Sequence, residues 1–197
     1  MDMDDALPAA LAANLDAAFE RLVLDQQDRL YSIALRVLGN RSDAEEVAQD
    51  ALVRAYRALG SWDEHRIRAV ELRPWLAAIT VNLCRNRLRR RRPPQIPIQS
   101  GSGTAPEAVL PDPREGPDAG SLRRESVERW AALLAELPPR HRVPVVLRHV
   151  DGLSYEEMAA ALGRPTGTLK AQVHRGLAQL RAAAERAADL EREEMTA

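Results

Sequence analysis

The sequence has 197 residues, enough for one domain or two small ones, and its formal net charge of −1 is not that of a general nucleic-acid binder. Its single cysteine, Cys84, excludes an internal disulfide and a multi-cysteine zinc site. No apolar run approaches the roughly 20 residues needed to span a bilayer, and the acidic start is unlike a signal peptide. We therefore expect a cytoplasmic protein without membrane insertion.

Composition and periodicity predict an all-α fold. Ala, Leu, Arg and Glu are abundant, and no segment alternates β-branched residues as a strand would. Proline and glycine then divide the chain into two small helical domains on either side of a flexible linker. The predicted units are a flexible N-terminus at 1–14, a first domain at 15–92, the linker at 93–120, a second domain at 121–188 and a flexible tail at 189–197.

Three helices are predicted in the first domain. The first covers 15–38 and ends at Gly39, a C-cap signal. The second opens at Ser42, where the spacing to Glu45 matches a capping box, and it ends at Gly60. A loop at 60–72 follows, and the third helix opens near Pro74, where a missing amide hydrogen breaks no helical bond.

Acidic residues crowd the start of the second helix, at Asp43, Glu45, Glu46 and Asp50. Three of them suit the positive end of the helix dipole. Asp50 lies further along the helix, where that explanation weakens, and a basic protein partner is the alternative. The residues by themselves leave the two interpretations equal.

The third helix ends in a run of arginines. Projected at 100° per residue, it has one apolar side that includes Cys84 and one polar side that mixes an aromatic ring, amides and guanidinium groups. Such a surface suits single-stranded or distorted DNA, because bases stack and phosphates meet cations. Packing of Trp75 under the 60–72 loop is an equal alternative for that residue. The candidate DNA-binding residues are Trp75, Asn82, Arg85, Asn86, Arg89 and Arg90.

The linker is rich in proline and glycine and is net acidic. Such a composition forbids a helix and does not bury a core. The second domain then begins with predicted helices at 121–136 and 140–150, which Pro138 and Pro139 separate.

A helix-turn-helix follows, with a short helix from a Ser154–Glu157 capping box to Leu162, a turn at Gly163, and a longer helix at about 167–186 that Thr166 can cap. The longer helix has Leu169, Val173 and Gly176 on its apolar side. Its outward side has hydroxyl, amide and cationic groups without an acid, which suits phosphates and base edges in the major groove. Its candidate DNA-binding residues are Thr168, Lys170, Ala171, Gln172, His174 and Arg175.

The histidines give no sign of an enzyme. His65, His141, His149 and His174 form no close ligand pair, and there is no glycine-rich phosphate loop. We expect His141 and His149 to lie on a helix surface. The sequence therefore predicts a protein without a catalytic site, a metal or a cofactor.

Taken in order, these features resemble the extracytoplasmic-function sigma factors. The resemblance rests on DAEEVAQDALVRAYRAL at 43–59, PWLAAITVNLCRNRLRRRR at 74–92 and LPPRHRVPVVLRHVDGLSYEEMAAALGRPTGTLKAQVHRGLAQL at 137–180. It covers nearly all of both domains. One departure is the loop at 61–72, which is longer and more charged than in the family, so its residues are not carried over.

The resemblance implies a role for each surface. The acidic helix, with Asp43, Glu45, Glu46, Gln49 and Asp50, would dock on the clamp helices of the largest catalytic subunit of RNA polymerase. The arginine helix would read and open the −10 promoter element, with Asn82 near a flipped base. The helix-turn-helix would bind the −35 element.

Further partners implied by the family are the flap of the second-largest polymerase subunit and an anti-sigma factor. Three rival functions stay open at this point. A dimeric helix-turn-helix regulator would bind a palindrome without polymerase, an adaptor would bind polymerase without choosing promoters, and an enzyme would need a site that the histidines do not supply.

Overall fold

The computed structural model describes residues 3–91 and 130–194, and every regular element in those two segments is an α-helix, which confirms the all-α prediction. The first segment contains α1 (Met3–Ala13), α2 (Leu15–Leu38), α3 (Arg41–Leu59), α4 (Glu64–Ala69) and α5 (Leu72–Arg91). The second contains a helical stretch at 130–136 (α6), then α7 (Pro139–His149), α8 (Tyr155–Leu162) and α9 (Thr166–Glu194). The predicted linker at 93–120 and the start of the predicted helix at 121–136 lie outside the described residues.

The helix boundaries of the first domain follow capping side chains. The Asn14 side chain accepts a hydrogen bond from the Ala17 amide at 3.1 Å and starts α2, which ends at Gly39 in the left-handed conformation. Asn40 starts α3 in the same way, accepting from the Asp43 amide at 2.9 Å. The prediction of a capping box at Ser42 is therefore wrong. Asn40 caps α3, which begins at Arg41, so Ser42 lies inside the helix.

Three segments predicted to be irregular are helical instead. The N-terminus forms α1, which packs on α2 and α4 and buries Leu7 and Leu11. The loop at 60–72 contains α4, whose N-cap Asp63 accepts from the Arg66 amide at 2.8 Å. Residues 189–194 of the predicted tail continue α9, and the rest of that tail lies outside the described residues. Tertiary packing explains α1, since short helices gain most of their stability from burying an apolar side.

The core of the first domain forms where α2, α3 and α5 pack on one another. Aliphatic side chains fill it. Cys84 is buried there, and burial raises the pKa of its thiol to about 12. This burial confirms the predicted position of Cys84 on the apolar side of its helix.

In the second domain α7 lies against α9, and the two helices approach closely at Gly176. A Cβ atom at Gly176 would lie 2.6 Å from the Val145 Cγ2 and 3.3 Å from the His141 carbonyl oxygen. His141 is buried, and its ring is within 2.9 Å of the Gln179 side-chain oxygen. The expectation of a surface position is wrong for His141, because α9 covers it, whereas His149 is exposed.

Replacing Gly176 with Ala is expected to destabilise the second domain by about 1–2 kcal/mol. Overpacking against Val145 costs about 1–3 kcal/mol, and the better helix propensity of alanine offsets at most about 1 kcal/mol. Urea unfolding measures the difference. Gly167→Ala is the matched control on the same helix, because nothing lies within 4 Å of its added methyl group. Equal stability of the two variants would contradict the close approach.

The two domains are in contact. Helix α7 packs against α2, and α8 packs against α5, so one continuous set of buried residues runs through both domains. This arrangement differs from the expectation of two domains that only a linker holds together.

Candidate nucleic-acid interface

The helix-turn-helix is built as the sequence predicts, except that α9 begins at Thr166, so Thr166 lies inside the helix and is not the cap that precedes it. The Ser154 hydroxyl accepts from the Glu157 amide at 3.1 Å, and the Glu157 carboxylate accepts from the Ser154 amide at 2.6 Å. The hydrogen bond from the Ser154 amide lowers the pKa of Glu157. The stabilisation from this bond is therefore present at pH values above the pKa that Glu157 has in the unfolded chain. It is lost as the pH falls through the lowered pKa of Glu157 in the folded chain. Gly163, with φ of 62°, ends α8 and turns the chain into α9.

Helix α9 presents the predicted outward face to solvent. Leu169 and Val173 are buried against the rest of the domain, which confirms the predicted apolar side. Gln172 is half-buried and accepts a hydrogen bond from Arg164 at 3.3 Å. The remaining predicted DNA-binding residues of this helix are exposed: Thr168, Lys170, Ala171, His174 and Arg175.

A tyrosine that sequence reasoning missed organises the cations beside this face. The Lys170 ammonium lies 5.4 Å from the centre of the Tyr155 ring, and the Arg148 guanidinium lies 5.1 Å from it. Arg148 also donates to the Leu153 carbonyl at 2.9 Å. These contacts gather Lys170 and Arg148 at the start of α8, where phosphate groups would find two charges together. The sequence pattern that could have identified Tyr155 is its position as the first residue of a helix with a predicted capping box.

Helix α5 presents the second predicted DNA-binding face. The helix contains no acidic residue, and four of its predicted DNA-binding residues are exposed: Asn82, Asn86, Arg89 and Arg90. Arg85 is half-buried, and burial together with the nearby Arg164 guanidinium lowers its pKa. Arg85 thus lies on the border between this face and the second domain.

Trp75, the remaining predicted residue of this face, packs under the loop before α5. Its ring lies 4.9 Å from that of Trp62, and the Arg66 guanidinium lies 4.1 Å from the centre of the Trp62 ring. The packing alternative for Trp75 is therefore the one that the structure supports, although half-burial leaves part of the ring open. Trp62 and Arg66 belong to the loop whose roles the resemblance could not supply.

Four of the five residues predicted to bind polymerase are exposed on α3: Glu45, Glu46, Gln49 and Asp50. Asp43 differs because it is buried beneath α5. The Arg87 guanidinium donates to its carboxylate at 2.7 and 2.9 Å and also pairs with Glu46. These two carboxylates raise the pKa of Arg87. Asp43 therefore ties α3 to α5 rather than pointing outward.

The acidic surface of α3 continues into exposed apolar side chains. Val53 and Tyr56 follow Asp50 at three-residue intervals and are both exposed. The Tyr56 hydroxyl donates to Asp16 at 2.5 Å, and its ring lies 4.9 Å from that of Phe19. An exposed apolar surface beside acids is typical of a protein-binding site.

No cluster of three or more His, Cys, Asp or Glu side chains capable of holding a metal ion occurs in the described parts of the chain. Within the same residues, no helix combines the length and the apolarity needed to cross a membrane.

Comparison with known proteins finds two family matches in chain order. Residues 22–93 match the family described as Sigma-70 region 2, and residues 128–180 match Sigma-70, region 4. The ECF RNA polymerase sigma factor SigW of Bacillus subtilis is 32% identical over 173 residues, which cover 83% of this chain and 87% of that protein. SigE of Mycolicibacterium smegmatis is 34% identical over 83% of this chain, which spans only 60% of that longer protein.

Solved structures agree with these matches. The structure of CnrH in complex with the cytosolic domain of CnrY superposes with a TM-score of 0.66 and 26% identity, covering 94% of this chain and 99% of that one.

Proposed function

The chain belongs to the extracytoplasmic-function sigma factors, and on this premise we propose that it binds core RNA polymerase and directs it to promoters. The observation that carries the proposal is the presence of two separate exposed faces without acids, on α5 and on the first turns of α9, in one chain whose net charge is −1. Acid-free faces on an acidic chain are suited to DNA. A dimeric helix-turn-helix regulator would need only one of them, and the comparisons do not favour that alternative.

The face of α9 would bind the −35 element in the major groove. Arg175 and Lys170 supply donors for phosphates or guanine edges, and Thr168 and His174 supply shorter polar groups beside them. Gln172 is half-buried, so its side chain extends less far toward the DNA than those of its exposed neighbours. Tyr155 would support the contact by holding the Lys170 and Arg148 cations at the edge of the groove.

The face of α5 would bind the −10 element as its strands separate. Unstacking a base costs a few kcal/mol, so contacts to the opened strand have to offset it. Asn82 and Asn86 provide amide groups for base edges, while Arg89 and Arg90 provide charges for the backbone. Part of the Trp75 ring remains available for stacking.

Polymerase would dock on α3 through its exposed acids and the apolar surface formed by Val53 and Tyr56. Charge complementarity speeds the encounter, and the apolar surface adds affinity once water is excluded. The chain performs no chemical step in this proposal; it would act in the cytoplasm, where polymerase is found. CnrH is seen in complex with the cytosolic domain of CnrY, and we extend the proposal to a protein partner of this chain, namely the anti-sigma factor that the family resemblance implies.

Transcription in vitro with core RNA polymerase and a library of randomised promoters tests this function. We expect the chain to select a defined pair of elements at a fixed spacing, with start sites at a fixed distance downstream. Core polymerase alone is the control. Uniform transcription of the library with and without the chain would overturn the proposal, whereas binding without selection would indicate an adaptor.

A further inference from the structure

Arg87 of α5 joins two acidic residues of α3. Its guanidinium donates to the Asp43 carboxylate at 2.7 and 2.9 Å and also pairs with the Glu46 carboxylate. The Asp43 side chain is 10% exposed, that of Arg87 is 33% exposed and that of Glu46 is 57% exposed. The three groups, which we call the Arg87 cluster, therefore run from the inside of the contact between α3 and α5 to the protein surface.

The Arg87 side chain does not belong to the proposed DNA-binding face of α5. At 100° per residue it lies about 140° around the helix from Asn82 and about 160° from Arg89, and both of those residues are exposed. Cys84 lies one turn earlier on the same side of the helix as Arg87 and is fully buried. Arg87 therefore faces α3, while Asn82 and Arg89 face solvent.

The charge of Arg87 is already neutralised within the protein. Hydrogen bonds to Asp43 and then to Glu46 raise the pKa of its guanidinium, so the arginine is held as a cation by two carboxylates of α3. Binding of a phosphate depends on a cation that can replace the counterions of DNA. A guanidinium that two carboxylates already neutralise has little to offer a phosphate, which distinguishes Arg87 from the exposed Arg89 and Arg90.

The Arg87 cluster defines the orientation of α5 on α3 more closely than apolar packing does. Burial of apolar surface has no preferred direction, whereas a planar guanidinium accepts partner oxygens only in the directions of its N–H groups. Rotation of α5 about its axis would separate Arg87 from Asp43 where little water can replace the lost contact. The pair therefore resists a rotation that the apolar residues would tolerate.

We propose that Arg87 is a positioning residue for promoter opening. Through Asp43 it fixes the rotation of α5 on α3, so that Asn82 and Arg89 meet the separating strand while polymerase holds α3. The inference rests on the function proposed above, in which polymerase docks on α3 and the face of α5 binds the −10 element. The Arg87 cluster then connects the surface that polymerase holds with the surface that captures the opened bases.

Substitution of either partner tests this role on a promoter selected from the randomised library. Arg87→Met removes the guanidinium and retains an apolar stem, and Asp43→Asn removes the acid at nearly constant volume. We expect each to slow promoter opening by core polymerase about tenfold, because a hydrogen bond to a charged group is lost. A fluorescent adenine analogue in the −10 element measures opening. Arg21→Ala is the matched control, since its partner Asp25 lies in the same helix and both are about half exposed.

Asp43→Asn distinguishes positioning from direct contact with DNA. If Arg87 bound a phosphate, loss of the acid that neutralises it would speed opening and would steepen the salt dependence of single-strand binding by about 0.7. We expect slower opening and an unchanged salt dependence instead. The affinity for core polymerase should also be unchanged, because Asp43 is buried and the proposed docking surface is exposed. Faster opening, or weaker polymerase binding by this variant, would overturn the proposal.

The double variant Asp43→Asn, Arg87→Met separates positioning from a purely structural role. Each single substitution leaves one member of the pair behind and lowers the melting temperature, whereas the double variant removes both charges and should recover stability. Its opening rate should stay as low as that of either single variant, because all three lack the same interaction. Circular dichroism identifies a temperature at which the compared variants are folded.

Recovery of promoter opening together with stability in the double variant would show that the pair only stabilises the domain, and so would opening at the rate of the Arg21 control in the single variants. Either result would overturn the positioning role and leave the proposed function intact. Failure of the unchanged chain to open any promoter with core polymerase would count against the proposed function itself.

Discussion

Replacing Asp50 with Arg is expected to weaken the binding of core RNA polymerase by about a hundredfold. Asp50 is exposed on α3, between the acids of the first turns and the apolar pair Val53 and Tyr56. A reversed charge in such a surface places like charges in contact, which costs several kcal/mol when the partner is basic. The double replacement of Glu46 and Asp50 with Arg should bind more weakly still. Fluorescence anisotropy of a labelled chain titrated with core enzyme measures the affinity.

The single Asp50 variant is the more informative of the two. Glu46 is paired with Arg87, so an arginine at position 46 would repel a cation that also binds Asp43 and would loosen α5. Glu185→Arg provides the same change of charge on an exposed position of α9, outside the proposed polymerase surface. An Asp50 variant that binds core polymerase as tightly as the unchanged chain and the Glu185 control do would show that α3 is not the docking site.

The largest expected effect on DNA recognition comes from replacing both Lys170 and Arg175 with Ala. Each side chain is exposed on α9, and a contact to a base or phosphate is worth about 1–3 kcal/mol. Two such contacts are worth at least about 2 kcal/mol, so we expect transcription from a promoter with an intact −35 element to fall by about thirtyfold or more. Binding of core polymerase should not change, because the substituted residues are not part of the proposed polymerase surface.

Salt dependence separates phosphate contacts from base contacts. The slope of log affinity against log salt concentration should decrease by about 0.9 for each phosphate that the variant no longer neutralises. Arg181→Ala is the control, since this exposed arginine lies further along the same helix and outside the predicted face. Full activity of the double variant, or an equal decrease in the Arg181 control, would show that this face does not read DNA.

Local sequence patterns predicted the helix-turn-helix correctly. The Ser154–Glu157 capping box, the left-handed Gly163 and the burial of Leu169 and Val173 all depend on residues within a few positions of one another. Such short-range signals fix helix ends and amphipathic sides before any tertiary contact forms. The same reasoning placed Cys84 inside and the polar face of α5 outside.

Competing signals of equal strength misled the prediction at α3. Asn40 and Ser42 are both good N-caps, and only the packed structure shows that Asn40 is the one used. The segment at 1–14 has too little length to predict a stable helix by itself, and α1 forms because Leu7 and Leu11 are buried where it packs on α2 and α4. Trp75 likewise had two equal interpretations, and only the packed structure shows that it contacts Trp62.

The sequence alone determined the helical class, the order of two domains and the family, because periodicity, caps and chain order are read along the chain. Tertiary structure alone decided that Asp43 binds Arg87, 44 positions away, and that Asp151 binds Arg29, 122 positions away. The residues next to an aspartate in the sequence do not indicate which distant arginine will pair with it. That choice depends on how the helices pack, and it determines which charges remain at the surface for polymerase and DNA.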